Sequence, residues 1–329
     1  MAANPLRGFT VDPAEVRQVG RDLQRPESVL AMPDGTLWVA DGRAGLQRIA
    51  PDGTQTLLQQ RVNGAVPEGS TPNGFVFRAS GEIVVANFGT RRLEAMNRSG
   101  ETRVLLDAID GVPLGQVNYV LQDSRGRLWL TVSTRRTPYL AAFRPDVADG
   151  YIALIDERGA RIAADGLGFA NEIRLDADER WLYVAETTGK RIRRMAVAPD
   201  GTLGAPELFG PASLGPGFPD GLAFDAFGNL WIAQVIAERV LALTPDGELL
   251  VLLDAGVPAA LAKVERHFSA GTLTGAHMGA AKGRIAPLTT SVAFGGADRR
   301  DVYLGSLAGT SIARFRSPVP GLPMIHWRA

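Results

Sequence analysis

The chain has 329 residues, 45% of them hydrophobic, enough to bury a large core as one domain or two. Lys+Arg and Asp+Glu each number 35, so no net field draws nucleic acid or an anionic membrane. The absence of cysteine excludes disulfides, thiolate nucleophiles and thiolate metal centres, and any metal must be held by oxygen or imidazole.

The first residues carry no basic region followed by an apolar run, and no stretch reaches the ~20 apolar residues that span a bilayer. A cytoplasmic protein is the expectation. Residues 15–19 alternate as a short strand with no obvious neighbour. From residue 27 onward a register repeats. Glu27, Asn73, Asn118 and Asp220 are each followed by Gly at the eighth position and by Trp or Val at the eleventh, as in Gly35 and Trp38 or Gly228 and Trp231. Asn171 and Ser291 open two less regular copies, which makes six units.

Within a unit the first two strands are joined by the Gly-containing turn. A third strand, such as residues 45–49 or 239–243, runs into a turn such as Pro51-Asp52-Gly53 or Pro245-Asp246-Gly247, and a fourth strand follows. Four-stranded units of this length, repeated six times, predict an all-β six-bladed β-propeller. The last unit lacks a fourth strand after Arg316, where Pro318, Pro320 and Pro323 interrupt the ladder. Residues 15–19 are expected to supply it, which makes residues 1–329 a single domain.

In a propeller the first strand of each blade lines the central channel, so equivalent positions converge. Glu27, Asn73, Asn118, Asn171, Asp220 and Ser291 therefore form a polar ring. Such a ring is costly unless something satisfies it, because buried carboxylates repel and unpaired polar groups are penalised. A hard divalent cation matches the two charges of Glu27 and Asp220, with the amides adding neutral oxygens. The alternative is that these side chains bond neighbouring backbone or a channel water, as in a scaffolding propeller.

The motifs Arg25-Pro26-Glu27-Ser28, Pro72-Asn73-Gly74, Asn118, Ala170-Asn171-Glu172-Ile173 and Pro219-Asp220-Gly221 stand in register. In these the chain, from about residue 26 to residue 316, resembles the gluconolactonase and senescence-marker-protein (regucalcin) family, and is also similar to diisopropyl fluorophosphatase. The resemblance implies a central Ca²⁺ held by Glu27, Asn171 and Asp220, with Asn118 as a ligand or substrate contact. Zn²⁺, Mn²⁺ and Mg²⁺ are the alternative ions. It further implies hydrolysis of a lactone or related ester. Gln116 stands where some members carry an arginine used on sugar lactones, and Tyr119 where an Asp is common.

Chain direction places two long excursions, residues 133–150 and 254–290, over the site face. The first carries Arg135, Arg136, Tyr139 and Phe143, suited to an anionic or aromatic group. The second carries His267, His277 and Lys282, with a short helix opened by Pro258. Arg135, Tyr139 and His277 are expected to contact substrate along with Asn73. No phosphate-binding Gly-rich loop, His-x-x-x-His pair or Gly-x-Ser-x-Gly elbow is present. The expected chemistry is metal-dependent hydrolysis on a small molecule, in which Asp220 or an activated water attacks and Asn118 positions the substrate. An isomerase, lyase or cyclase on the same ring, and a non-catalytic binding propeller, are the alternatives.

Overall fold

The computed structural model describes residues 3–324. Six four-stranded antiparallel sheets follow one another along the chain. Their first strands are Val29–Ala31, Pro72–Phe77, Val117–Gln122, Ala170–Leu175, Phe218–Phe224 and Thr289–Gly295. These pack side by side around one axis, and a hydrogen bond from Asn73 to Glu27 links the second blade to the first. The architecture is the six-bladed β-propeller that the repeat predicts. The sixth sheet takes its outer strand from the opposite end of the chain: Arg17–Val19 pairs with Ile312–Arg316, with Val19 opposite Ile312.

The hydrophobic residues of the strands meet between blades rather than in one central mass. The fifth and sixth blades, for example, bury Trp231 against Phe294 and Phe315, with ring centroids at 5.1 and 6.3 Å. The repeated tryptophans also have a polar task. The indole Nε1 of Trp129 donates to Asp123 at 3.0 Å and that of Trp231 to Asp225 at 2.9 Å, each pinning the turn that precedes its strand.

Two local features aim the ring inward. In five blades the ladder shifts register at or beside the ring position: between Pro72 and Phe75, Val117 and Tyr119, Ala170 and Ile173, Pro219 and Leu222, and Thr289 and Val292. A bulge there takes the ring residue out of the ladder and turns its side chain toward the axis. Glycines then let neighbouring first strands approach. A Cβ on Gly74 would lie 2.4 Å from the Tyr119 ring, and one on Gly221 2.3 Å from the Thr290 carbonyl oxygen.

A second circle of polar residues, at the ends of the second strands, holds the loops above the ring. Asn87 Oδ1 accepts from the amides of Thr71, Gly89 and Thr90 at 2.9, 3.1 and 3.1 Å. Asp41 accepts from Gln24, Glu186 from Gly168, and Ser306 from Gly309.

The two long excursions join over this face. Among the described residues they contain the only α-helices, α1 (Pro258–Ser269) and α2 (Gly275–Ala280), and a 3-10 turn at Tyr139–Ala142. Leu261, Val264 and Phe268 form the buried stripe of α1. They share one apolar cluster with Ala142, Phe143, Val147, Phe169 and Phe218. Phe143 links both excursions to the blades, with its ring 5.2 Å from Phe169, 5.1 Å from Phe218 and 6.3 Å from Phe268. Polar anchors complete the roof. Glu265 pairs with Lys190 and accepts from the Gly217 amide, and the buried Glu238 accepts from the amides of Ile285 and Ala286. Phe143→Ala is expected to remove about 3 kcal/mol from this roof. Limited proteolysis should then cut within residues 254–290 at least tenfold faster than in the wild type, at nearly unchanged far-ultraviolet circular dichroism; an unchanged rate would mean the roof stands without this ring.

Candidate active site

Glu27, Asn73, Asn118, Asn171, Asp220 and Ser291 are all buried where the six first strands converge. Each leading member has one atom anchored and another free. Glu27 Oε1 accepts from Asn73 Nδ2 at 2.9 Å, while its Oε2 is buried without a partner. The Asn171 amide donates to Thr187 Oγ1 at 3.1 Å, and Thr187 in turn to the Pro219 carbonyl at 2.8 Å, while Asn171 Oδ1 is left without a partner. Asp220 interacts with Asn171, and its Oδ1 is likewise unpartnered. The Ser291 hydroxyl is the fourth unpartnered oxygen of the ring.

The electrostatics agree with the geometry. Burial raises Glu27 to about 6, against the pull of Arg25. Burial, then the charges of Glu27 and Glu172, hold Asp220 well above the usual carboxylate range. Glu172, one residue beyond Asn171, rises to about 7 through burial despite a 2.9 Å ion pair with Arg174. Arg174 also lies over the Tyr119 ring at 4.8 Å and bonds its hydroxyl, so the channel beside the ring is filled by an internal ion pair.

Unpartnered buried oxygens cost about 1–3 kcal/mol each, more when charged, and two carboxylates this close disfavour joint ionisation. A divalent cation relieves both penalties. Among the described residues no three acidic or imidazole side chains surround one point. The open donor set is instead two carboxylates and one amide, all oxygen, which suits a hard ion completing its shell with water or substrate.

The other expected site residues divide. Asn118 is in the ring, where its Oδ1 accepts from Asn73 at 3.2 Å and keeps a second lone pair, and its amide group is a donor. Asn73 has its donor on Glu27 and Asn118 and its oxygen on Arg25 at 2.6 Å, so it positions its neighbours. Tyr139 stands at the rim, 5.0 Å from the Phe88 ring. Arg135 and His277 have local partners of their own. The Arg135 guanidinium is held by Asp165 at 2.8 and 3.0 Å and lies over Tyr151 at 4.5 Å, an exposed ion pair beside the site. His277 Nδ1 caps α2 through Thr274, and its ring stacks on His267 at 3.7 Å, which makes it part of the roof's frame. His326 lies outside the described residues.

Sequence reasoning missed Arg25 as a site residue. Its backbone is left-handed, with φ 51°, and its guanidinium reaches Asn73 Oδ1 and the Pro72 carbonyl and lies 5.6 Å over the Phe88 ring. Its place immediately before Pro26-Glu27 was the available signal.

Fold and ring together define a propeller with a buried, oxygen-lined central site. The chain belongs to the SMP-30/gluconolactonase/LRE-like family, whose pattern matches residues 25–264. It is 31% identical over 227 residues to the 6-deoxy-6-sulfogluconolactonase of Pseudomonas putida, covering 68% of this chain and 72% of that protein. A strictosidine synthase-like protein of Arabidopsis thaliana is 24% identical; the match covers 65% of this chain but only 57% of the plant protein. Among solved structures, the calcium-binding protein regucalcin of Agrobacterium tumefaciens superimposes with a TM-score of 0.68 at 16% identity, over 93% of this chain and 96% of that one, which speaks to the fold alone. No helix among the described residues is long and apolar enough to cross a membrane.

Proposed function

We propose that this protein is a metal-dependent hydrolase of lactones or closely related esters, with Ca²⁺ as the ion held by Glu27, Asn171 and Asp220. The observation that carries the reading is the trio of buried, unpartnered oxygens on these three residues. The name of the Pseudomonas relative supports the substrate class. When bound, the ion supplies Lewis-acid polarisation of the lactone carbonyl and offsets the charges of the two carboxylates.

The protein's own groups do the rest. Asp220, kept basic by burial beside Glu27, takes a proton from the attacking water as the water oxygen bonds to the carbonyl carbon. The ring C–O bond then breaks, and Asp220 returns the proton to the departing alkoxide, giving the open hydroxy acid. Asn118, its oxygen fixed by Asn73, offers its amide donors to a substrate oxygen. The aromatic roof around Phe143 and Phe169 excludes bulk water, which strengthens each of these interactions.

Purified protein, incubated with a panel of γ- and δ-lactones in ¹⁸O-labelled water, is expected to place one label in the product carboxylate, and chelation should abolish turnover. Unlabelled, isomerised or eliminated products would replace hydrolysis with a different reaction on the same ring. Persistence of full turnover in excess chelator would exclude the metal.

A pH dependence follows from Glu27. Its folded value of about 6 lies above its unfolded value of about 4.5, so without an ion the ring loses stability as pH rises through that window and does not regain it above. Calcium can bind only the ionised ring. Its stabilising effect should therefore be small at pH 5 and grow as pH rises through and beyond the Glu27 window, since Asp220 is also raised, reaching on the order of 5 °C at saturating calcium. Thermal melts with and without chelator at pH 5, 6, 7 and 8 check this, and an equal shift at every pH would contradict it.

A further inference from the structure

Among the described residues Arg25 makes no direct ion pair, and its charge is felt by Glu27 and Asp220 only at longer range. Several other cations near the site are matched, Arg174 by Glu172, Lys190 by Glu265, Arg135 by Asp165 and Arg239 by Asp254, while Lys263, Arg266, Lys282 and Arg284, unmatched among the described residues, belong to the 254–290 excursion rather than to the ring. The hydrogen bonds of Arg25 go to an amide oxygen and a backbone carbonyl. It is half-buried at the rim of the ring. Tyr139 and Arg25 both contact the Phe88 ring, so one wall of the rim is aromatic and carries a fixed guanidinium. The Gln116 amide donates to the Phe88 carbonyl and so props this wall rather than adding a charge from the third blade.

The charges of the occupied site can be summed. Glu27 and Asp220 contribute −2, a divalent ion +2, the Glu172–Arg174 pair zero, and Arg25 +1. One positive charge is left in a recess with aromatic walls, where an ionic hydrogen bond is stronger than in water. A guanidinium also presents paired N–H donors in a planar fork that matches a carboxylate or sulfonate.

We propose that Arg25 is a specificity-determining residue that selects lactones bearing an oxyanion substituent, a carboxylate or a sulfonate, which it binds while the lactone carbonyl meets the Glu27–Asn171–Asp220 set. This rests on the hydrolase reading above and adds the substrate's charge to it. The left-handed backbone at Arg25 is what brings a blade-one side chain back over Asn73 and Phe88.

The test compares two lactones that differ only at one terminus: D-glucono-γ-lactone, which is neutral there, and D-glucaro-γ-lactone, which carries a carboxylate. Wild-type protein is expected to favour the acidic lactone in kcat/KM by about tenfold or more, the effect of one charge-assisted hydrogen bond. Arg25→Gln should lower that ratio at least tenfold, chiefly through KM for the acidic lactone. A second readout needs no turnover. Calorimetry with calcium present should show D-glucarate binding wild-type protein about tenfold tighter than D-gluconate, and Arg25→Gln binding both alike.

If neither lactone is hydrolysed by the wild type, the hydrolase reading fails on these substrates, and the calorimetric preference still decides the role of Arg25. The proposal is overturned by equal proportional losses on both lactones in Arg25→Gln, which would make Arg25 part of the reacting centre, or by an unchanged ratio. Should the variant fail to fold, absence of any preference for the acidic partner in the wild type overturns it just as well.

Discussion

Asp220→Asn should lose at least about a thousandfold in kcat/KM for any lactone the wild type hydrolyses, the scale of losing a general base. Its apo form should at the same time melt higher than the apo wild type. The two effects have one cause. In the apo ring Asp220 is buried, faces Glu27 and Glu172, and has an oxygen with no hydrogen-bond partner. The amide keeps the shape and removes a charge that the folded state holds only at a cost. The gain should be about 1–2 kcal/mol, a rise of about 2–4 °C for a chain of this size. With calcium added the order should reverse, because the wild type gains an ion and the variant keeps a weakened site. A stable variant that retained wild-type turnover would remove Asp220 from the chemistry. A variant less stable than wild type without calcium would mean that the carboxylate is satisfied by the protein itself.

The second large effect is on the frame. Gly221→Ala puts a methyl group 2.3 Å from the Thr290 carbonyl oxygen and 2.5 Å from the Ser291 Cα. Both are backbone atoms of the next first strand, so no rotamer change can relieve the contact. The fifth and sixth blades must separate, at an expected cost of about 4 kcal/mol or more, placing the variant among the most disruptive single changes. Since Asp220 is the preceding residue, calcium binding should be lost with the stability. Gly279→Ala in α2 is the control: its Cβ would meet only the far end of Lys282 at 4.0 Å, and alanine is the better helix former by about 1 kcal/mol. Thermal melts of the two variants should diverge by about 8 °C or more. Similar melting points would mean that the first strands are not packed as tightly as described.

The spacing of Glu27, Asn73, Asn118, Asn171, Asp220 and Ser291 made the blades and the ring legible, because a propeller turns a linear register into a circle. It also indicated that residues 133–150 and 254–290 belong to one face, where they share an apolar cluster. Local geometry was not legible. A bulge such as that between Pro219 and Leu222 leaves no mark in composition, yet it turns Asp220 inward. Arg135 looked available because Asp165 lies 30 residues away, on the outermost strand of the same blade. His277 looked like a substrate contact because of its loop, and the sequence did not reveal that its neighbour Thr274 makes it half of a helix cap. Arg25 was read as part of a motif, but its positive φ, which decides where the guanidinium goes, is a property of the folded backbone.

Calorimetric titration of calcium into chelator-treated protein tests the central claim most directly. Wild-type protein should take up one ion per chain, and Glu27→Gln and Asp220→Asn should each weaken binding by at least about a hundredfold, the loss of one charged ligand from a low-dielectric site. Undiminished one-to-one binding in both variants would place the ion elsewhere. Failure of the wild type to bind calcium, zinc, manganese or magnesium would contradict the account outright.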